Sequence, residues 1–213
     1  MASPMTDSGD AVAEVTPAAR RRRARLEQIL AVSWELARRD GLAAISLREL
    51  ADRVDMRQPS LYNYFPSKAA LYDAMFAQGF GQLVDEREQL RLDADPVVAL
   101  KEGCRHFLEF CVADPVRYQL LFQHSVPGFE PSPESMQTAG RALQFLQQWL
   151  VAAGAPSSET LDLMRALLLG LAGEQIANEP STDRWMRYCD EIVGLVLQLD
   201  LQPPSGRRRK RGA

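Results

Sequence analysis

The chain has 213 residues, 46% of them apolar and 25% charged, with a formal net charge of -3, so it can bury a sizeable core and is too apolar to read as a disordered chain. Its longest apolar run, "ALLLGLAG" at 166–173, falls far short of the roughly 18 residues a membrane helix needs, and the first residues lack a signal-peptide apolar region, so the expected location is cytoplasmic with no membrane contact. Cys104, Cys111 and Cys189 have no CxxC spacing, which argues against a disulfide framework or a zinc knuckle and for reduced thiols.

Charge is segregated along the chain. Residues 20–68 carry eleven basic and six acidic side chains, net +5, whereas residues 69–206 carry nine and nineteen, net -10. One end is suited to meeting a polyanion while the body repels it.

Residues 1–15 are small, polar and aperiodic, which predicts a disordered leader. Then Thr16-Pro17, Asp95-Pro96, Asp114-Pro115 and Ser132-Pro133 each place a capping acceptor before a proline suited to the first helical position. Nine helices are expected, at about 17–40, 46–54, 58–64, 67–90, 96–113, 115–124, 133–153, 158–178 and 182–200. No alternating run with hairpin turns supports a strand, so the fold class is all-α.

The first helix begins with "RRRR" at 20–23, suited to phosphates or a minor groove. It stripes Leu26, Ile29, Ser33 and Leu36 at helical spacing and stops at Gly41. "SLRE" at 46–49 predicts a capping box, with Ser46 and Glu49 exchanging hydrogen bonds. Leu47, Leu50, Ala51 and Val54 give the second helix an apolar face, Asp55-Met56 supplies a left-handed turn, and Pro59 opens a third helix anchored by Leu61 and Phe65. That leaves Arg57, Gln58, Ser60, Tyr62, Asn63 and Tyr64 facing outward. Two short helices joined by a tight turn, the second presenting amide, hydroxyl and aromatic groups, suit a helix-turn-helix entering the major groove of DNA.

In the fifth helix Val97, Leu100, Cys104, Phe107 and Cys111 share one face, and a buried apolar stripe explains these cysteines better than a metal site with His106 does. In the eighth, Ala166, Gly170, Gly173 and Ala177 form a small-residue strip; in the ninth, Trp185, Cys189, Ile192, Val196 and Leu199 form a second stripe. "PPSG" breaks the chain before a basic tail, "RRRKRGA", expected to be disordered over 203–213.

The run "LYNYFPSKAAL" resembles the DNA-binding segment of the TetR family of bacterial regulators, and "RQPSLY" is similar to a recognition helix of that family. The resemblance covers about residues 20–75; beyond it the helices agree in number and order, and "GLAGEQIANEPSTDRW" resembles a stretch of one subgroup. It implies a DNA-binding unit at 16–66, followed by an effector-binding and dimerisation unit at 67–202. It also implies that Arg48, Gln58, Pro59 and Ser60 meet base edges and that Tyr62, Tyr64 and Lys68 hold phosphates. Two departures stand out: Asp55 replaces the usual turn glycine, and Arg57, a phosphate partner but a poor cap, replaces the usual Ser or Thr. The strips of helices eight and nine lie where the family forms its four-helix dimer interface.

The implied function is a homodimeric regulator, a repressor of a palindromic operator, released by a small effector. No Ser-His-Asp arrangement or phosphate loop supports an enzyme, and neither a metal nor a cofactor is expected. An effector site is expected between helices five to eight, from Phe107, Phe110, Phe122, Trp149 and Met164 with Cys104 and Cys111, oriented by His106, His124 and Gln144. The -10 of the body disfavours anions, so a neutral or cationic apolar or aromatic effector is expected. A regulator controlled by a partner protein or by its own abundance, and more distantly an enzyme using the helical cavity, are the other readings.

Overall fold

The structure, a computed structural model, describes residues 16–199. The expected leader and basic tail lie outside the described residues. Among these, the chain forms α1 (Pro17–Asp40), α2 (Leu47–Arg53), α3 (Gln58–Tyr62), α4 (Lys68–Gln89), α5 (Pro96–Ala113), α6 (Pro115–Phe122), α7 (Pro133–Ala152), α8 (Ser158–Asn178) and α9 (Cys189–Leu197), with two single 3-10 turns and no strand. The fold is all-α.

The caps explain where the helices begin. Thr16, Asp95, Asp114 and Ser132 each accept a hydrogen bond from a first-turn N–H, at 3.2 Å from Ala19, 2.8 Å from Val97, 3.1 Å from Arg117 and 3.2 Å from Ser135. The proline after each has no N–H to leave unsatisfied. The capping box at Ser46 is only half made. Ser46 Oγ accepts from Glu49 N–H at 3.4 Å, but the Glu49 carboxylate turns to Arg39 at 2.7 Å, because an ion pair to α1 competes with a return bond to its own helix start.

Two apolar cores share one helix. Ile29, Leu36, Leu50, Leu61, Leu71 and Met75 form the core beneath α1–α3, and Leu83, Leu100, Leu108, Leu150, Met164 and Leu168 form the core of the body. α4 contributes to both, so it runs as a common strut. α6 also faces both ways, with Leu120 in the first core and Tyr118 and Leu121 in the second. Polar contacts reinforce the joint: Arg38 of α1 donates to the Asp114 carboxylate at 2.7 and 3.0 Å, and Trp34 Nε1 donates to Gln78 Oε1 at 2.8 Å.

The run "GLAGEQIANEPSTDRW" has a local structural reason. Fully buried Gln175 donates to the carbonyls of Glu179 and, at 2.7 Å, Thr182, while its Oε1 accepts from Trp185 N–H at 2.9 Å. A buried amide with its partners met by backbone holds the α8–α9 connection as a turn. Helix nine therefore starts at Cys189, after a 3-10 turn at Met186–Tyr188, instead of near residue 182.

Candidate DNA-binding face and effector cavity

α2 and α3 form a helix-turn-helix fixed from beneath. Asp55 takes φ +51°, and Met56 N–H closes the turn on Ala51 O at 2.9 Å, so an aspartate supplies the left-handed residue where glycine is usual. Leu50, Ala51, Val54, Leu61 and Phe65 are buried, which aims the opposite surface at solvent. Arg48, Arg57, Gln58, Pro59, Ser60, Tyr62 and Asn63 are all exposed on it. Tyr64 and Lys68 are half-buried and already engaged: the Arg22 guanidinium lies 5.0 Å from the Tyr64 ring centre, and Lys68 Nζ donates to Ala43 O at 2.6 Å. An ammonium has three donors, so Lys68 has spare capacity for a phosphate. The Arg22 contact carries the basic run at the start of α1 to the edge of the same face.

In the body, a cavity of about 220 Å³ lies between α4, α5, α6, α7 and α8. Its wall includes Phe76, Phe80 and Leu83 of α4, Gly103, Cys104 and Phe107 of α5, Phe122 and His124 around the end of α6, and Trp149 of α7. The Phe122 ring meets those of Phe80 and Phe107 edge-on, at 5.4 and 5.5 Å between centres. Close approach of α5 and α7 is possible because residue 103 is glycine; a Cβ there would lie less than 3.0 Å from three Trp149 ring carbons. His124, Met136 and Arg165 line the wall and are exposed, so the cavity reaches solvent.

Five of the residues expected at this site lie elsewhere. Gln144 is exposed on the outer side of α7 and Met164 is packed in the core. Phe110 is covered by the Arg117 guanidinium at 3.6 Å, and Cys111 is buried beside it in the apolar interior. His106 turns toward α4, its Nε2 3.2 Å from Glu86. The reason is rotational, since one helix turns only part of its face to a cavity. Burial raises the Cys104 and Cys111 thiols well above their ordinary range and Cys189 to about 12, so all three stay protonated at neutral pH. No cluster of potential metal ligands occurs among the described residues.

Residues 29–75 match the family described as bacterial regulatory proteins, tetR family. Residues 100–174 match the C-terminal domain described as tetracyclin repressor-like, so both units match in order. The chain belongs to the TetR family. HTH-type transcriptional regulator Rv1816 of Mycobacterium tuberculosis is 31% identical over 151 residues, 65% of this chain and 62% of its own length. HTH-type transcriptional activator FasR of Mycolicibacterium smegmatis is 32% identical over 98 residues, 46% of this chain and 45% of its own. The match thus spans less than two thirds of either relative. The solved regulatory protein SCO4313, 19% identical, superposes with a TM-score of 0.70 over 85% of this chain and 99% of its own, which shows a shared fold. The TetR family and these relatives are regulators and not enzymes.

In this TetR-family chain, the strips of α8 and α9 divide between two faces. Ala166, Gly170 and Ala177 are exposed, and a Cβ on Gly170 would meet nothing within 4 Å. Gly173 instead packs against the Tyr118 hydroxyl, Trp185 is held inward by Gln175, and Cys189 and Val196 are buried within the chain. Ile192 is half-buried, and the outward side of α9 is carried by Leu195, 62% exposed, and Leu199, 49% exposed. Leu195 was not singled out from the sequence. The available signal was that α9 is apolar nearly all round, so two of its faces need cover. Arg87 of α4 was also missed. Phe76, Phe80, Leu83 and Arg87 recur at helical spacing, and the arginine ends that stripe.

Proposed function

We propose that this TetR-family regulator binds a palindromic operator as a homodimer in the cytoplasm, and that a small molecule in the body cavity lowers its operator affinity. Arg48, Gln58, Pro59 and Ser60 read base edges; Arg57, Tyr62, Asn63, Tyr64 and Lys68 hold the backbone. The exposed strip of Ala166, Gly170 and Ala177, with Leu195 and Leu199, forms the two-fold seam that pairs the two reading heads.

The observation that carries the reading is the double role of α4. One end supplies Leu71, Tyr72 and Met75 beneath the helix-turn-helix, and the other supplies Phe80, Leu83 and Arg87 to the cavity wall. α6 shares this arrangement, with Phe122 on the cavity and Leu120 against the first core. A ligand that fits the cavity only when these helices shift favours a different spacing of the reading heads. A tenfold loss of operator affinity needs a coupling of about 1.4 kcal/mol.

FasR is named as an activator, which makes activation the second reading of the sign. The test is selection of bound duplexes from a random pool, followed by a metabolite screen for release and a reporter assay. Recovery of a two-fold symmetric site and a compound that changes its occupancy is the expected result. An asymmetric site bound by a monomer refutes the dimeric operator. If no compound that stabilises the protein alters operator binding, the cavity is core and regulation runs through a partner or abundance.

A further inference from the structure

We infer that the cavity binds small amphipathic carboxylates, the carboxylate pairing with Arg87 and the apolar body lying against Phe80, Phe122 and Leu146. This deepens the effector reading above and rests on it.

Arg87 is 6% exposed, lines the cavity, and its Nε and Nη1 have no hydrogen-bond partner. Among the described residues no carboxylate forms an ion pair with it. What touches the guanidinium is aromatic: its centre lies 4.9 Å from the Trp149 ring and 5.5 Å from that of Phe107. Such faces stabilise a cation but offer its N–H groups no strong acceptor. Burial without a counter-ion pulls the group down to about 10, so it remains charged at neutral pH. A half-buried arginine in the same body, Arg117, differs in degree: its Nε also lacks a partner, but its two terminal nitrogens are both engaged. It also stacks on a ring, and donates to Phe110 O at 2.8 Å and to Gln82 Oε1 at 3.2 Å.

The rest of the wall agrees on sign. The other basic cavity residues are Arg165 and His124, both exposed; Cys104 is a buried thiol held protonated, and no Asp or Glu lines the cavity among the described residues. The remaining wall is chiefly aliphatic and aromatic. A buried cation with free donors, set in an apolar chamber closed to carboxylate side chains, fits an anion with a planar acceptor and an apolar body. The expectation of a neutral or cationic effector followed the charge of the whole body, and the charge of the cavity itself reverses it. At about 220 Å³ the chamber is smaller than the roughly 300–1,000 Å³ of drug-sized pockets, which favours a short chain or a single ring.

The test measures binding to the full chain of the carboxylates from hexanoate to dodecanoate and of 4-phenylbutyrate. Octan-1-ol and octylammonium serve as chain-matched neutral and cationic controls. The expected result is a carboxylate that binds about tenfold tighter than its alcohol, with that preference lost in Arg87→Met and partly kept in Arg87→Lys. If Arg87→Met does not fold, the wild-type ranking of head groups decides alone. An alcohol or ammonium that equals the best carboxylate overturns the proposal, as does the absence of carboxylate binding or a preference that survives Arg87→Met. Operator binding is measured alongside. A carboxylate that binds through Arg87 without changing operator affinity upholds the head-group assignment and refutes the effector reading; a neutral compound that alone releases the operator does the reverse.

Discussion

Replacing Arg87 by methionine should make the unliganded protein more stable, the opposite of what deleting a buried contact usually does. A guanidinium pulled by burial from its ordinary range down to about 10 carries a desolvation cost of about 3 kcal/mol at neutral pH. Stacking on Phe107 and Trp149, at 5.5 and 4.9 Å toward the outer limit of about 6 Å for such contacts, offsets part of this, at about 0.5–1 kcal/mol for each ring. Methionine keeps an unbranched apolar chain against the same rings and removes the charge. The net expectation is a gain of about 1–2 kcal/mol, or several degrees in Tm at about 2–4 °C per kcal/mol for a domain of this size. Urea unfolding of ligand-free wild type and Arg87→Met, at one protein concentration and unchanged slope, measures it.

The pH dependence gives an independent check. The folded-state value lies below the unfolded one, so the native cost is fully present at pH 7 and is relieved as pH rises through about 10 toward the unfolded value. The advantage of Arg87→Met should therefore shrink only in that alkaline window. If the variant instead loses more than about 1 kcal/mol, a magnitude typical of a lost favourable contact, the guanidinium is satisfied in the unliganded protein and is a packing element.

Gly103→Ala should cost about 1–3 kcal/mol, because its Cβ would fall less than 3.0 Å from a stiff indole backed by Arg87; urea unfolding with no loss would place Trp149 elsewhere. Gly170→Trp should leave the monomer fold intact, since nothing lies within 4 Å of that Cβ, yet break the dimer and with it binding to a palindrome; sedimentation showing an unchanged dimer removes the α8 strip from the seam. Arg48→Ala should relax base preference at one or two positions, costing about 1–3 kcal/mol per lost contact, whereas Lys68→Ala should weaken all sites alike and flatten the salt slope by about 1. Equal discrimination by wild type and Arg48→Ala in a competition assay would end the base-reading role of Arg48.

What could be read from the sequence was local. Asp-Pro and Ser-Pro caps act within one turn, and the α2–α3 turn depends on residues adjacent in the chain, so helix order and the helix-turn-helix follow from spacing alone. The end of that legibility is visible at Glu49, where a partner ten residues away, Arg39, displaces the local bond. It is visible again in α9. The periodicity correctly marks Cys189, Ile192, Val196 and Leu199 as apolar, but which of them faces its own chain depends on how Gln175 folds the preceding loop. The cavity was the least legible, because five helices each contribute a fraction of a face. Residues one turn apart on α5, Phe107 and Cys111, share a helix side yet only the first reaches the wall.

The reversal over effector charge comes from the same distance dependence. A net charge of -10 over residues 69–206 is mostly a property of exposed carboxylates, and at physiological salt their field decays over about 8 Å of water. It governs the approach of charged molecules to the surface. A ligand inside the body feels a different sum, in which a near and desolvated cation acts through a medium that screens weakly. Arg87 lies in that medium, with Phe107 and Trp149 displacing the water that would otherwise solvate it. The acidic exterior then acts on rate more than on choice, slowing entry of an anion without setting its affinity once bound. On this argument raising salt should speed carboxylate association, by screening the surface, while changing dissociation little, because the ion pair at Arg87 is out of reach of the screening ions. Stopped-flow fluorescence with the best carboxylate from the panel measures both rates. Association that slows with salt, as for an ion drawn to an exposed patch, would mean that the exposed Arg165 and His124 and not Arg87 dominate recognition.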